Sequence, residues 1–121
     1  RIPAYCLYTD PPLGRVGMTE AEARRTGKPY LVARRPMTRV GRAVEKGEAL
    51  GFMKILVDAA DRRILGAALL GVGCDEVVHA ILTLMYAGAS CDVMQRAMHI
   101  PPTVSELLPT MLGELVPADV A

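Results

Sequence analysis

Tryptophan is absent from this 121-residue chain, and one Phe and four Tyr are its only aromatic residues. With 51% hydrophobic residues the chain can still bury a core, but that core must be aliphatic, with the seven Met as filler rather than a cofactor box. An excess of either charge is also lacking. Fourteen basic residues face 13 acidic ones, for a net charge of +1. That balance excludes the basic field that draws nucleic acid or an anionic membrane. No apolar run is long enough to cross a bilayer. The three cysteines, Cys6, Cys74 and Cys91, are odd in number and form no CxxC pair, which argues against a disulfide framework or a zinc cage. They are expected to be reduced, mostly buried thiols of a cytoplasmic protein. The chain has two His. His79 has no second His or Cys at ligand spacing, so it reads as a helix-surface residue and no metal site is expected. No G-x-G-x-x-G follows a strand and no Walker loop is present. The opening at Arg1, without Met or a leader-like segment, suggests a piece of a longer protein.

What is present fits one domain over residues 1–121. Residues 4–9 are short, apolar and Tyr-rich and stop at Asp10-Pro11-Pro12, which predicts a strand ending in a turn. Residues 13–17 form a second short strand candidate. Thr19 and Glu22 have capping-box spacing, and the brief helix behind them stops at Gly27. Residues 30–38 read as an edge-like strand because they carry Arg34, Arg35 and Pro36. Residues 39–50 are polar and Gly-punctuated, as in a short helical turn plus loop. Residues 52–58 and 64–72 are apolar runs around Ala59-Ala60-Asp61-Arg62, a β-hairpin signature.

Gly71-x-Gly73 reads as a turn needing positive φ rather than a phosphate loop. Asp75 or Glu76 then opens a helix to about Ala87, apolar nearly all round, which must be covered on most sides. Residues 91–97 make a short helix. The last helix is expected to start near Thr103, with Val104, Leu107, Leu108, Met111, Leu112 and Leu115 on one stripe and a kink at Pro109. Strands first and helices last, without βαβ alternation, predict an α+β fold: an antiparallel sheet with helices packed on one side.

The informative stretch is Met98-His99-Ile100-Pro101-Pro102-Thr103-Val104-Ser105-Glu106. Taken by itself it is a stiff entry into a helix, with two prolines restricting the backbone and a second capping box from Thr103 and Glu106. It also resembles the His-x-His-Pro-Thr-x-x-Glu signature of the dimerisation domain in the class I pyridine nucleotide–disulfide oxidoreductases, the glutathione reductase, lipoamide dehydrogenase and mercuric reductase family. His99, Pro102, Thr103, Ser105 and Glu106 carry that match, which continues into Leu107–Leu115. Tyr8-Thr9-Asp10-Pro11, Val16-Gly17-Met18-Thr19-Glu20, Gly51-Phe52-Met53-Lys54, Ile64-Leu65-Gly66-Ala67 and Gly71-x-Gly73 resemble the family's other stretches, in order. The mercuric reductase-like and lipoamide dehydrogenase-like branches are nearest.

The resemblance implies that this is the C-terminal, dimer-forming domain of an FAD-dependent NAD(P)H oxidoreductase and catalyses nothing alone. FAD, the NAD(P)H site and any redox-active Cys pair would lie on upstream domains. The partner would be a second copy, joined through the helix of residues 75–87 and the last helix, with each copy placing a wall against the other's flavin. In catalytic relatives the second His of the signature is the acid–base residue, paired with the Glu. Here that position is Pro101, whose side chain has no proton to exchange. Glu106 is the remaining dyad carboxylate, and the backbone carbonyl of Pro101 is the implied contact to the partner's FAD. His99 is the other catalytic candidate, although two extended residues separate it from position 101 by roughly 7 Å. Some mercuric reductase-like relatives end in a vicinal Cys pair. This chain ends at Ala121 without one, so that route of metal delivery is not expected if Ala121 is the terminus. Two rivals stand beside this reading: a stand-alone assembly or binding module of the same fold, and a small enzyme using His79, His99 or a cysteine.

Overall fold

The structure, a computed structural model, describes residues 1–39, 50–100 and 103–120. In chain order the elements are β1 (Ala4–Leu7), β2 (Leu13–Gly17), α1 (Glu20–Arg25), β3 (Tyr30–Pro36), a 3-10 turn (Met37–Arg39), β4 (Phe52–Asp58) and β5 (Ile64–Leu70). They continue with α2 (Cys74–Tyr86), α3 (Cys91–Arg96), a 3-10 turn (Ser105–Leu107), α4 (Leu108–Leu112), β6 (Val116–Pro117) and a 3-10 turn (Ala118–Val120). The expected turn and loop over residues 39–50 falls almost wholly outside the described residues. The strands form one antiparallel sheet in the order β1-β2-β5-β4-β3-β6. The α+β expectation therefore holds.

The central hairpin follows from its own residues. Met53, Ile55 and Val57 on β4 alternate inward with Ala67 and Leu69 on β5, and all are fully buried. The turn between them is pinned by the Asp58 carboxylate, which accepts from the Ala60 and Asp61 amides at 2.7 and 3.2 Å. Such a side-chain bond mimics a backbone turn. Arg62 completes it at φ 61°. Beyond β5, Gly73 lies at φ 74° and opens α2, as the Gly71-x-Gly73 pattern predicts.

α2, α3 and α4 cover the inward face. Val77, Val78 and Ile81 of α2, Met94 of α3, and Leu108, Met111 and Leu112 of α4 join one buried cluster with the hairpin. Short α1 lies on the opposite face, where Ala23 packs on Val32 and Leu56. Its capping box is present as predicted. Thr19 Oγ1 accepts from the Glu22 amide at 3.1 Å, and Glu22 Oε1 accepts from the Thr19 amide at 3.0 Å.

Two expectations are corrected at the C-terminal end. The last helix does not run from Thr103 to Leu115. Residues 105–107 form a 3-10 turn closed by the Leu108 amide on the Ser105 carbonyl, and α4 spans only Leu108–Leu112. Pro109 has no amide to donate back to Ser105, so the α-helical ladder cannot start earlier. The second capping box is also not formed. Thr103 Oγ1 instead donates to the Ile100 carbonyl at 2.7 Å, and Val104, not Thr103, precedes the turn. Two-residue β6 was not anticipated; it pairs with β3 through Leu31↔Pro117 and Val32↔Val116. Just before it, Glu114 forms an ion pair with Arg35, a β3 residue with 7% exposure on the inward face.

α1 is held to the sheet by its first residue. Glu20 accepts from Arg34 Nη2 at 2.9 and 3.1 Å, from Lys54 Nζ at 3.2 Å and from Tyr30 Oη at 3.4 Å. Burial raises the pKa of this carboxyl, but the Lys54 hydrogen bond and the Arg34 charge outweigh it and hold the group below its usual 4.5. A carboxyl depressed on folding stabilises the fold above its unfolded pKa and stops doing so as pH falls through the folded value. Glu20→Gln is expected to cost about 1 kcal/mol at pH 7, and the gap to wild type should close as pH falls through the depressed pKa of Glu20. Denaturant unfolding at a series of pH values measures it; a gap independent of pH would refute the clamp. A sharper packing test is Gly66→Ala. A Cβ on Gly66 would lie 2.1 Å from the Met18 carbonyl oxygen and 2.6 Å from its amide nitrogen. The substitution should destabilise by about 3 kcal/mol in thermal or denaturant melts.

Candidate functional site

The segment singled out in the sequence is carried between two helices that are themselves tied to the hairpin. Ser90 caps α3, its Oγ accepting from the Asp92 amide at 3.1 Å. Arg62 Nε donates to Asp92 Oδ1 at 2.9 Å, and the Cys91 amide donates to the Arg62 carbonyl at 2.7 Å. The hydrogen bond from Arg62, against the cost of desolvation, holds the Asp92 carboxyl below its ordinary range. The hairpin turn thus grips the N-terminus of α3, and α4 packs beside α3. Sequence reasoning missed this clamp. A Ser directly before a short helix with an acidic first turn was its signal.

The connection from α3 to α4 projects outward. Ala97 is extended, at ψ 141°. Met98 is 98% exposed and Ile100 79% exposed. Between them His99 is half-buried, with its Nδ1 atom buried and without a hydrogen-bond partner among the described residues. An orphaned buried ring nitrogen is costly unless a partner arrives from elsewhere. Glu106 is half-buried in the 3-10 turn, and no hydrogen bond or ion pair joins it to His99. Pro101 lies outside the described residues. The structure thus places His99 and Glu106 at the two ends of one connection without coupling them.

The other candidates stay apart. His79 is exposed on α2. Cys74 and Cys91 are buried and Cys6 is half-buried, all as free thiols, in agreement with the sequence. The Cys6 thiol donates to the Asp75 carbonyl at 3.6 Å. Among the described residues no group of three or more His, Cys, Asp and Glu side chains is placed to hold a metal ion. No described helix is long and apolar enough to cross a membrane.

The outward surface of the helices is uneven. The α4 stripe is consumed inside the domain, since Leu108, Met111 and Leu112 are fully buried. These three stripe residues therefore offer no surface to a second copy. On α2, Leu82, Leu84 and Met85 remain partly exposed, Tyr86 is 59% exposed, and Val93 of α3 is also exposed. The apolar tip, α2 and α3 together leave apolar side chains facing outward.

The family model for the pyridine nucleotide-disulphide oxidoreductase dimerisation domain matches residues 3–112. The chain belongs to that family. The dimerisation domain is 35% identical over 104 residues to the "Probable pyridine nucleotide-disulfide oxidoreductase RclA" of Escherichia coli (strain K12), covering 86% of this chain and 24% of that protein. It is 32% identical over 105 residues to a dihydrolipoyl dehydrogenase of Haloferax volcanii, covering 87% of this chain and 22% of that one. The solved HOCl-induced flavoprotein disulfide reductase RclA of Escherichia coli superposes with a TM-score of 0.90 at 32% identity, over 93% of this chain and 26% of that one. LpdA of Mycobacterium tuberculosis shares the fold, with a TM-score of 0.85 at 15% identity over 93% of this chain and 24% of that one. The domain thus spans about a quarter of the length of these relatives.

The thiols yield a test of the site's packing. Burial, with a smaller push from Asp75, drives the Cys74 pKa up to about 12. Burial also raises Cys91, against the opposing charge of Arg62. Burial and the acidic start of α2 raise Cys6. A thiolate is the reactive form. At pH 8 an aromatic disulfide reagent is therefore expected to modify Cys6 slowly, and Cys74 and Cys91 only upon unfolding. Rapid labelling of Cys74 in the native protein would show that the start of α2 opens.

Proposed function

We infer that this domain is the C-terminal, dimer-forming part of an FAD-dependent NAD(P)H oxidoreductase of the mercuric reductase-like or lipoamide dehydrogenase-like kind. It supplies the subunit interface and a wall of the partner's flavin site. The supporting observation is the tip of residues 98–100, where Met98 and Ile100 stand almost fully in solvent around a His99 whose inner nitrogen has no partner. Such a tip is badly suited to water and well suited to insertion between apolar surfaces. Family membership and the coverage of about a quarter of each relative support the longer chain.

FAD, bound on upstream domains, would supply electron transfer from NAD(P)H to the acceptor. The residues of this domain fit its neighbourhood in a limited way. Met98 and Ile100 exclude water. The Pro101 carbonyl is an acceptor directed by sequence to the position that faces the partner's FAD in relatives. Among residues 98–102 only His99 has a side chain able to take up and release a proton. Glu106 is the carboxylate of the former dyad, and with Pro101 in the histidine position it has no imidazole there to orient. Any proton that residues 98–102 move for the parent would therefore have to pass through His99. Three free thiols suit a reducing compartment, and we place the parent in the cytoplasm.

The interface reading is tested by sedimentation equilibrium of the domain. A twofold contact must be self-complementary, and dimers are expected to form below about 1 mM. Tyr86→Ser, at an exposed α2 position, should weaken association about tenfold without lowering thermal stability. A strict monomer at every concentration, or a dimer indifferent to Tyr86, would overturn the assignment of this face.

A further inference from the structure

The connection that carries His99 is held from the far ends of the two helices it joins. α3 leaves the hairpin turn at Cys91 and delivers the chain to Ala97, and α4 ends at Leu112. Both are short, six and five residues, about 9 and 8 Å at the usual helical rise. Their buried contacts are apolar: Cys91 and Met94 of α3, and Leu108, Met111 and Leu112 of α4. Apolar burial fixes depth but has no direction, so it leaves a short helix free to slide or roll. Direction comes from two arginines. Arg62 holds the first residues of α3, donating from Nε to Asp92 Oδ1 at 2.9 Å and accepting at its carbonyl from the Cys91 amide at 2.7 Å. Arg35, opposite Met53 on the inward face of β3, pairs with Glu114 just beyond α4. The two helices also meet there. A Cβ on Gly113, the residue between α4 and Glu114, would lie 3.4 Å from Gln95 Nε2 of α3.

We propose that Arg62 and Arg35 are the positioning residues of the tip: paired with Asp92 and Glu114, they set the orientation of α3 and α4 and so the place of His99 between them. The energetics favour position over stability as their role. The Arg62 and Asp92 side chains are 36% and 35% exposed, and so exposed a pair adds little to stability. Arg35 is a charge with 7% exposure. Taking it out of water costs about as much as its partner returns, so a buried pair supports a fold weakly but can specify one arrangement of it. What the tip is positioned against rests on the flavin-site reading above, whereas the positioning itself does not.

The test separates position from stability. In the isotopically labelled chain the imidazole Cε1–Hε1 NMR signal of His99 is expected to stand apart from that of His79, which is exposed on α2 and serves as the internal reference. Replacing the buried pair by apolar side chains, Arg35→Met with Glu114→Leu, should leave the melting temperature unchanged or raise it. The same double variant should move or split the His99 signal, leave His79 in place, and speed amide hydrogen exchange at residues 94–97 about tenfold. Asp92→Asn, at the more exposed pair, serves as the second variant and should act likewise, whereas Asp92→Glu, which keeps the carboxylate, should retain most of the wild-type signal. A His99 signal unchanged in the double variant and in Asp92→Asn would overturn the proposal. So would a wild-type signal already coincident with that of histidine in an unfolded peptide, or changes at His99 seen only in variants that melt earlier. Loss of the dimer in sedimentation, with the His99 response intact, would instead count against the interface reading alone.

Discussion

The β4–β5 hairpin is the constraint on which the rest depends. Its inward residues, Met53, Ile55, Val57, Ala67 and Leu69, bury completely only while the two strands keep one register. A slip by one residue would turn that set outward and bring Lys54 and Phe52 into the core. The hairpin also does work at both of its ends. Its turn binds the start of α3 through Arg62 and Asp92, and its far end passes into α2 through Gly73. The connection bearing His99 leaves α3, so the placement of a functional candidate traces back to a turn made by Asp58 and Asp61.

The same register explains why the domain has two unlike faces. Every residue that β4 and β5 turn away from the core belongs to a cross-strand row, and the rows differ in character along the strands. At one end Val32 and Leu56 are covered by Ala23 of α1. In the middle Arg34 and Lys54 converge on Glu20. At the other end no described helix lies above Phe52 and Leu70. α1 is only six residues long and can cover just one end of the sheet. The polar middle row satisfies itself partly with Glu20, and Leu7 and Phe52 of the apolar row beyond it stay about half exposed.

The hairpin and the two central helices were legible in the sequence because a period of two and an apolar stripe are local signals. The Thr19 box was legible for the same reason, since its two bonds lie within four residues. Thr103 and Glu106 have identical spacing and form no box. Pro109, three residues beyond Glu106, prevents the helix from starting where a box would serve it, so the pattern was right in letters and wrong in context. β6 was invisible because two residues carry no period, and its pairing with Leu31 and Val32 exists only after β3 is in place. The burial of the α4 stripe within its own domain is a tertiary outcome too. An apolar stripe says that something covers it, not whether the cover is the same copy or another. For the site, the sequence identified the segment and the odd proline at position 101. The exposure of Met98 and Ile100 and the orphaned His99 nitrogen required coordinates.

Those last features bear on one another. The resemblance puts an acid–base imidazole at position 101, where this sequence has Pro101. The described tip presents a thioether and a branched alkyl group, Met98 and Ile100, and its single titratable ring has one nitrogen buried. In the dimer inferred above, such a tip would seal its seat against water more than it would relay protons through it. Exclusion of water strengthens every charge interaction inside a site and limits side reactions of reduced intermediates.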